Sequence, residues 1–388
     1  MTQYGYEAQL RMYSQSLTGA SHWSWPISVT QWRRAARKRL DERAWSYIEG
    51  GAGLEETLQA NRQAFRRYQI RPHMLNNVAS RNLEVTILGT PMSVPFLLAP
   101  IGVQSILHPD GELASARAAA ESGVPYIAST VSSFSLEQIA AVMGNAIRWF
   151  QLYPGKDPDV MQSFLKRAEH SGYSALVVTV DTPMMAWRER DLSLLYLPFL
   201  QGKGVANYFT DPAFVSRLGQ SPESDPSAAI QQFLSIFVNP AFSWEDLRAL
   251  RSMTHLPILL KGITHSEDAM RAQEEKLDGI IVSNHGGRQL DGAVSSLDAL
   301  AEIREEVRSD FLLLMDSGIR SASDICKAMA LGASAVLLGR PYAYALAAGG
   351  QKAVTELLAQ YRATLDLQLA LSGYQDIKDL KPDYVFRL

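Results

Sequence analysis

Cysteine is nearly missing from this chain: among 388 residues only Cys326 carries a thiol, which excludes an intramolecular disulfide and any cysteine-rich metal site. Cys326 lies in an apolar helical pattern with Ile325, Ala328 and Met329 and reads as core rather than as a nucleophile. The seven histidines show no His-x-x-x-His spacing, so no metal motif is present. An excess of one charge is also lacking. Lys+Arg number 37 against Asp+Glu 40, a net charge of −3, and such a balance gives no basic footprint for nucleic acid. There is no long hydrophobic run either. The most apolar stretch, Met92–Leu107, is broken by Pro95 and Pro100 and is shorter than the about 20 residues of a membrane helix. Met1–Thr30 lacks a basic segment followed by an apolar one, so no signal peptide is expected. The expectation is a soluble cytoplasmic protein with no membrane or nucleic-acid partner. With 47% hydrophobic and 20% charged residues, it can bury a sizeable core. Last, no Gly-x-Gly-x-x-Gly turn follows a strand, which argues against a doubly wound dinucleotide-binding sheet.

What the chain does have is a repeat. From about residue 95, eight short apolar runs alternate with amphipathic helical patterns: 96–99, 126–129, 147–153, 175–181, 257–261, 279–283, 311–316 and 335–339. Ser135 with Gln138 and Ser321 with Asp324 read as helix caps. Eight such units predict a closed parallel (β/α)8 TIM barrel over residues 91–388. Residues 1–90 read as a helical lead-in packed on that barrel, with Ile27–Glu49 helical and Gly50-Gly-Ala-Gly53 breaking it. Residues 190–243 form an insertion after the fourth strand, rich in aromatics (Tyr196, Phe199, Tyr208, Phe209, Phe214) and far longer than the usual connection of about 2–6 residues. Such a loop reads as a lid or an oligomer contact.

In a TIM barrel the chemistry gathers at the C-terminal ends of the strands. The run Gly279-Ile-Ile-Val282 ends in Ser283-Asn-His-Gly-Gly-Arg288. His285 can take a proton near neutral pH, and Arg288 can fork onto a carboxylate. Taken alone, the turn could also be a helix cap whose His and Arg only solvate the barrel rim, the lesser of the two readings. Other strand ends supply Pro100–Gly102, Ser129, Gln151, Tyr153, Thr179, Asp181 with Arg188, Lys261 and Asp316. Lys261 and Asp181 end apolar runs, and burying either alone would cost several kcal/mol, so each needs a partner. Gly318 with Arg320 and Gly339 with Arg340, after the seventh and eighth strands, look like a phosphate cradle. The spread of polar groups suits a large flat phosphorylated cofactor. His108, ahead of the first barrel helix, reads as a capping contact, and Tyr47 by position alone reads as a tyrosine on the apolar face of a helix.

Together these motifs resemble the FMN-dependent L-2-hydroxy acid oxidases and dehydrogenases, the family of glycolate oxidase and lactate oxidase, over about Trp45–Leu380. The hallmark is Ser283-Asn-His-Gly-Gly-Arg-Gln-Leu-Asp291. It is supported by Phe150-Gln-Leu-Tyr153, Thr179-Val-Asp-Thr-Pro183, Leu260-Lys-Gly262 and Leu338-Gly-Arg-Pro341. The run Trp187–Leu192 with Tyr196–Tyr208, and Met315–Arg320, look most like the lactate 2-monooxygenase branch. The resemblance implies FMN as cofactor, a small 2-hydroxy acid and oxygen as substrates, and a homotetramer or homo-octamer. It implies His285 as base with Asp181 orienting it, and Lys261 beside the flavin N1/O2 edge. Tyr47, Tyr153, Arg188 and Arg288 would hold the substrate carboxylate. Ser129, Gln151 and Thr179 would bond the flavin ring, with Pro100, Ile101 and Gly102 against its N5 side and Ser283 nearby. Asp316 would hold the ribityl chain, and Gly318, Arg320, Gly339 and Arg340 the phosphate. No metal is implied. Two positions depart from the glycolate oxidase pattern: Gly102 replaces a common Ala and is expected to leave room beside N5, and Ser317 replaces a common Gly. Val131, where glycolate oxidase has a bulkier aromatic, suggests a substrate larger than glycolate.

Overall fold

The computed structural model describes residues 3–388, so Met1 and Thr2 of the lead-in lie outside the described residues. Eight strands form the centre: Phe96–Leu98 (β1), Tyr126–Ser129 (β2), Arg148–Leu152 (β3), Leu176–Thr179 (β4), Ile258–Ile263 (β5), Gly279–Val282 (β6), Leu313–Met315 (β7) and Ala335–Leu338 (β8). They pair in parallel and in chain order, and β8 returns to β1, which closes the barrel. Each strand faces side chains inside the barrel on one side and helices on the other, so the sequence has no polar face to offer. Every residue of β1, β2, β4, β6, β7 and β8 is buried accordingly.

A helix follows each strand: Gly111–Ser122 (α1), Leu136–Met143 (α2), Pro158–His170 (α3), Trp244–Arg251 (α4), Ser266–Glu274 (α5), Ser296–Glu306 (α6), Ala322–Ala330 (α7) and Arg340–Ser372 (α8). Ser135 with Gln138 and Ser321 with Asp324 form reciprocal capping boxes, each cap contributing about 1 kcal/mol. Cys326 is buried in α7. The His108 ring accepts the Asp110 N–H at 3.2 Å, a contact in the turn before α1 rather than on the helix itself. The cap that position alone did not suggest is His265, whose ring accepts from Glu267 N at the start of α5.

The lead-in departs from the single helix expected over Ile27–Glu49. It is two helices, Val29–Arg37 and Glu42–Glu49, because Asp41 accepts the Ala44 N–H at 2.7 Å and begins a new helix. The glycines from Gly50 do end the second one. A further helix, Glu56–Arg66, packs against the loop after β6, and short strands follow, Tyr68–Ile70 pairing antiparallel with Val385–Arg387 at the far end of the chain.

The insertion is a packed structure. Phe199, Tyr208, Phe214, Phe233 and Phe237 form one buried aromatic cluster, with Tyr208 4.8 Å from Phe233 and 4.9 Å from Phe164 of α3 between ring centroids. Asp211, buried, ties the same segment to α3 through Arg167 at 2.9 Å and Ser163 at 2.7 Å. The stretch before this cluster is different. Met184, Met185, Trp187, Leu192 and Leu195 are all exposed. No helix among the described residues is long and apolar enough to cross a membrane.

Candidate active site

The C-terminal ends of the strands open into one cleft. His285 stands in it on a turn where three successive residues, His285, Gly286 and Gly287, take positive φ (57°, 67° and 74°). A non-glycine residue held there is strained. The turn is held by Asn284, which accepts the Gly287 N–H and makes a reciprocal amide pair with Asn61 of the lead-in, both bonds 2.8 Å. Behind the imidazole, Asp181 Oδ1 lies 2.8 Å from His285 Nδ1, which leaves Nε2 for the cleft. Burial lowers the His285 pKa below 6.5, and the facing Asp181 only partly opposes it. Burial works the other way on Asp181, but His285 and Lys261 overcome it and keep the carboxyl below its usual value. Both directions agree: an anionic Asp181 orients a neutral imidazole, the form that accepts a proton.

Asp181 reaches this place because β5 bulges. Its register with β6 shifts between Lys261 and Ile263, and Gly262 between them has φ of 106°. A Cβ at Gly262 would lie 2.6 Å from Asp181 Cβ, so only glycine lets β4's end pack this closely. The same bulge places Lys261 Nζ, almost fully buried, 3.1 Å from Asp316 Oδ2 and 2.8 Å from Ser283 Oγ. Burial disfavours its charge, yet Asp316 and Asp181 together raise its pKa, so it stays an ammonium. Ser317 adds a link. Its hydroxyl donates to Asp316 Oδ1 at 2.8 Å and accepts the Gly286 N–H at 2.9 Å, at φ of 77°. The serine that replaces a family glycine thus keeps the left-handed backbone and joins the ends of β6 and β7.

Four arginines line the cleft, Arg188, Arg288, Arg320 and Arg340, and none has a carboxylate within ion-pair distance among the described residues. Their N–H groups go instead to neutral acceptors. Arg188 reaches the Arg288 carbonyl and Gln289 Oε1. Arg288 reaches the carbonyls of Tyr47 and Gly50. Arg320 reaches that of Ile319, and Arg340 those of Ile48, Gly286 and Gly50. Burial, then Arg188, lowers the Arg288 pKa to about 9, so it is charged at neutral pH but short of an anion. The guanidinium lies over the Tyr47 ring, 5.0 Å from its centroid. Tyr153, also in the cleft, is held firmly protonated by burial and then by Asp181. Tyr47 therefore belongs to the cleft wall, against the reading from position alone.

The remaining expected residues sort into two layers. Pro100, Ile101, Gly102, Gly318 and Gly339 line the cleft with the residues above. Ser129, Gln151 and Thr179 lie just beneath, in a buried ladder across β2, β3 and β4: Ser129 Oγ donates to Gln151 Oε1 at 3.1 Å, and Gln151 Nε2 to Thr179 Oγ1 at 2.9 Å. One expectation fails. Gly102 does not leave free room, because a Cβ there would meet Val131 Cγ2 and the Val131 carbonyl, both at 2.6 Å. Val131 fills the space that the glycine opens. Sequence reasoning also missed Gln289, which bonds the Asp181 carbonyl and Arg188, and the apolar wall of Met185, Leu197 and Phe237. For Gln289 the signal was available, one residue past the Arg288 that was singled out.

A closed (β/α)8 barrel with a neutral histidine, a buried lysine and four arginines free of acidic partners among the described residues defines a barrel enzyme's site that sets a base beside groups able to hold anions. Residues 36–387 match the FMN-dependent dehydrogenase family, and the chain belongs to that family. It is 41% identical to an L-lactate oxidase of Lysinibacillus sphaericus over 356 residues, 92% of each chain. It is 41% identical to a 4-hydroxymandelate oxidase of Amycolatopsis orientalis over 351 residues, 90% of this chain and 96% of the other. The crystal structure of mandelate oxidase with (S)-4-hydroxymandelic acid superposes with a TM-score of 0.83 at 40% identity, covering 93% of this chain and 98% of that one. The protein is an FMN-dependent oxidoreductase of the 2-hydroxy acid oxidase class. The site fits FMN: acid-free arginines stand beside Gly318 and Gly339 after β7 and β8, where barrels bind phosphate, and the buried lysine can stand beside a ring that gains negative charge.

Proposed function

We propose that this enzyme oxidises an L-2-hydroxy acid, lactate or one with a larger side chain, to the 2-oxo acid and passes the electrons to oxygen, in the manner of a lactate 2-monooxygenase. The observation that carries the proposal is the neutral His285, fixed by Asp181, in one cleft with two guanidinium groups that lack a carboxylate. Arg188 and Arg288 would take the substrate carboxylate, with the hydroxyls of Tyr47 and Tyr153 at its edges. His285 Nε2 would remove a proton from the bound acid, and Asp181 would stabilise the imidazolium. Bound FMN supplies the two-electron acceptor. Lys261 would hold positive charge beside it, and Ser129, Gln151, Thr179 and Ser283 would fix its ring. Asp316 would serve the ribityl chain, and Arg320 and Arg340 with Gly318 and Gly339 the phosphate.

What separates the monooxygenase from an oxidase is product release. Pyruvate and hydrogen peroxide held together give acetate, CO2 and water; released, they are the products of an oxidase. The likeness of 187–208 to the monooxygenase branch supports the first version. Within the 190–243 insertion, the lid role falls to the exposed stretch at its start, since Phe199–Phe237 is pinned by the aromatic cluster. The exposed apolar side chains of 184–195 also suit a contact between subunits, as the homotetramer or homo-octamer implied by the resemblance would need. The test is product analysis of the yellow protein turning over L-lactate in air. Acetate and CO2 without free peroxide fit the monooxygenase, pyruvate with stoichiometric peroxide makes it an oxidase, and no turnover of lactate, mandelate or a longer acid overturns the proposal. A second result should follow from the β5 bulge. Gly262→Ala pushes Asp181 off His285, and a displacement of that kind should slow flavin reduction about a hundredfold; stopped-flow reduction at an unchanged rate would reject the role given to this glycine.

A further inference from the structure

Glu112, in the first turn of α1, is fully buried and takes no part in the chemistry above. Its Oε1 accepts two backbone N–H groups from different segments, Gln104 at 2.9 Å and Ser133 at 3.1 Å. Its Oε2 is buried without a hydrogen-bond partner among the described residues. An acid kept in such a place costs stability unless it does something for the fold or the site.

The two segments it joins are the loops that carry Gly102 and Val131. The first is under strain: Val103, a β-branched residue, has φ of 58°, a conformation that valine adopts only when its surroundings impose it. Three links impose it. The Val103 N–H donates to the Val131 carbonyl at 2.9 Å. Glu112 receives Gln104, one residue past Val103, and Ser133, two past Val131, and Ser133 Oγ donates to Ser105 Oγ at 2.8 Å. The Gln104 side chain is already committed, donating to the Ile101 carbonyl and lying against the hydroxyls of Tyr126 and Tyr342, while its carbonyl oxygen accepts from Ser115. The two backbone N–H groups therefore have Glu112 as their common acceptor. In front of this clamp the fit is tight, with no space for a Cβ between Gly102 and Val131.

We propose that Glu112 is a positioning residue of the active site: it clamps the 102–104 turn to the 131–133 turn, and so fixes Val131, the side chain expected beside the substrate, against Gly102. Burial raises the Glu112 pKa to about 7 although the Gln104 and Ser133 N–H groups pull it down, as expected of a buried carboxyl with no cationic partner. The link from this clamp to substrate choice rests on the proposed function; the clamp itself does not.

The test compares the FMN-loaded wild type with Glu112→Ala, Glu112→Asp and Glu112→Gln. Glutamine keeps an acceptor oxygen of the right reach, aspartate keeps the carboxyl but falls one methylene short, and alanine removes both. Amide hydrogen exchange at Gln104 and Ser133 should speed up by about tenfold or more in the alanine and aspartate variants, the loss of a hydrogen bond to a buried acceptor, and glutamine should restore protection at both. The same two variants should lose the preference of kcat/KM between lactate and mandelate by about tenfold, chiefly through KM for the smaller acid, because a relaxed wall no longer fits it closely. If alanine does not fold, aspartate carries the comparison. Unchanged protection at both amides in the aspartate variant overturns the clamp. Lost protection with an unchanged preference overturns its role in the site. If the wild type turns over no 2-hydroxy acid, the functional reading fails while the exchange data still decide the clamp.

Discussion

Replacing His285 by alanine should slow reduction of the bound flavin by a 2-hydroxy acid about 10⁴-fold, the upper end of what a positioned base contributes, while FMN stays bound. The size of the effect follows from the geometry. Asp181 holds Nδ1, Nε2 is left for the cleft, and no second histidine lines the cleft among the described residues. Cofactor retention follows as well, since the lysine and arginines that fit FMN do not lean on the imidazole. In the wild type the same group sets the pH dependence. Burial holds the imidazole pKa below the ordinary 6.5, so the reduction rate should be flat through neutrality and fall only as the pH drops below that value. Stopped-flow reduction of the yellow variant checks the first statement, and the acid limb of the wild-type profile checks the second. Rapid reduction in the alanine variant would remove His285 from the role of base.

Lys261→Met should damage the protein in two ways at once. Methionine replaces the stem of the side chain but leaves Asp316 without the ammonium now 3.1 Å away, and breaking one side of a buried pair costs about 3–5 kcal/mol. Asp181, kept ionised by His285 and then by Lys261, loses part of that support. Urea unfolding of the cofactor-free protein should show the drop in stability. Flavin reduction in the reconstituted variant should fall by about 10²–10³-fold, as expected when a fixed charge beside a developing anion is removed. Unfolding at the wild-type midpoint would mean that Asp316 finds another partner, and the coupling drawn between β5 and β7 would be wrong.

The barrel was legible because its strands are buried on both faces, which leaves nearly unbroken apolar runs such as Gly279–Val282 and Leu176–Thr179. Lys261 was conspicuous for the same reason: a cation in such a run needs a partner, and it has one in Asp316. The ends of elements set by a single side chain were harder. Asp41 looks like any surface acid in the 27–49 pattern, yet it caps a new helix. Aromatics spaced without a helical or strand period gave no sign that they form a cluster with α3. Gly262 and Gly102 carry their meaning in contacts with Asp181 and Val131, which only the closed barrel brings together. The arginines were read as anion ligands, but that they lack acidic partners is a fact of packing.

The reciprocal amide pair of Asn61 and Asn284 joins residues 223 apart in sequence, and it bears on how the chain is made. On a ribosome adding about 5–20 residues per second, the lead-in helix waits about 10–45 s for the loop it docks against. The barrel cannot close until β8 has been made and reaches β1. Through that interval Trp32 and Phe65, fully covered in the finished fold, have only local neighbours such as Trp25 and Arg62, and Trp32 lacks α8, which it meets through Gln360. Nascent chains of this enzyme are thus expected to lean on chaperones that shield apolar segments, and to capture FMN only after the last strand has emerged.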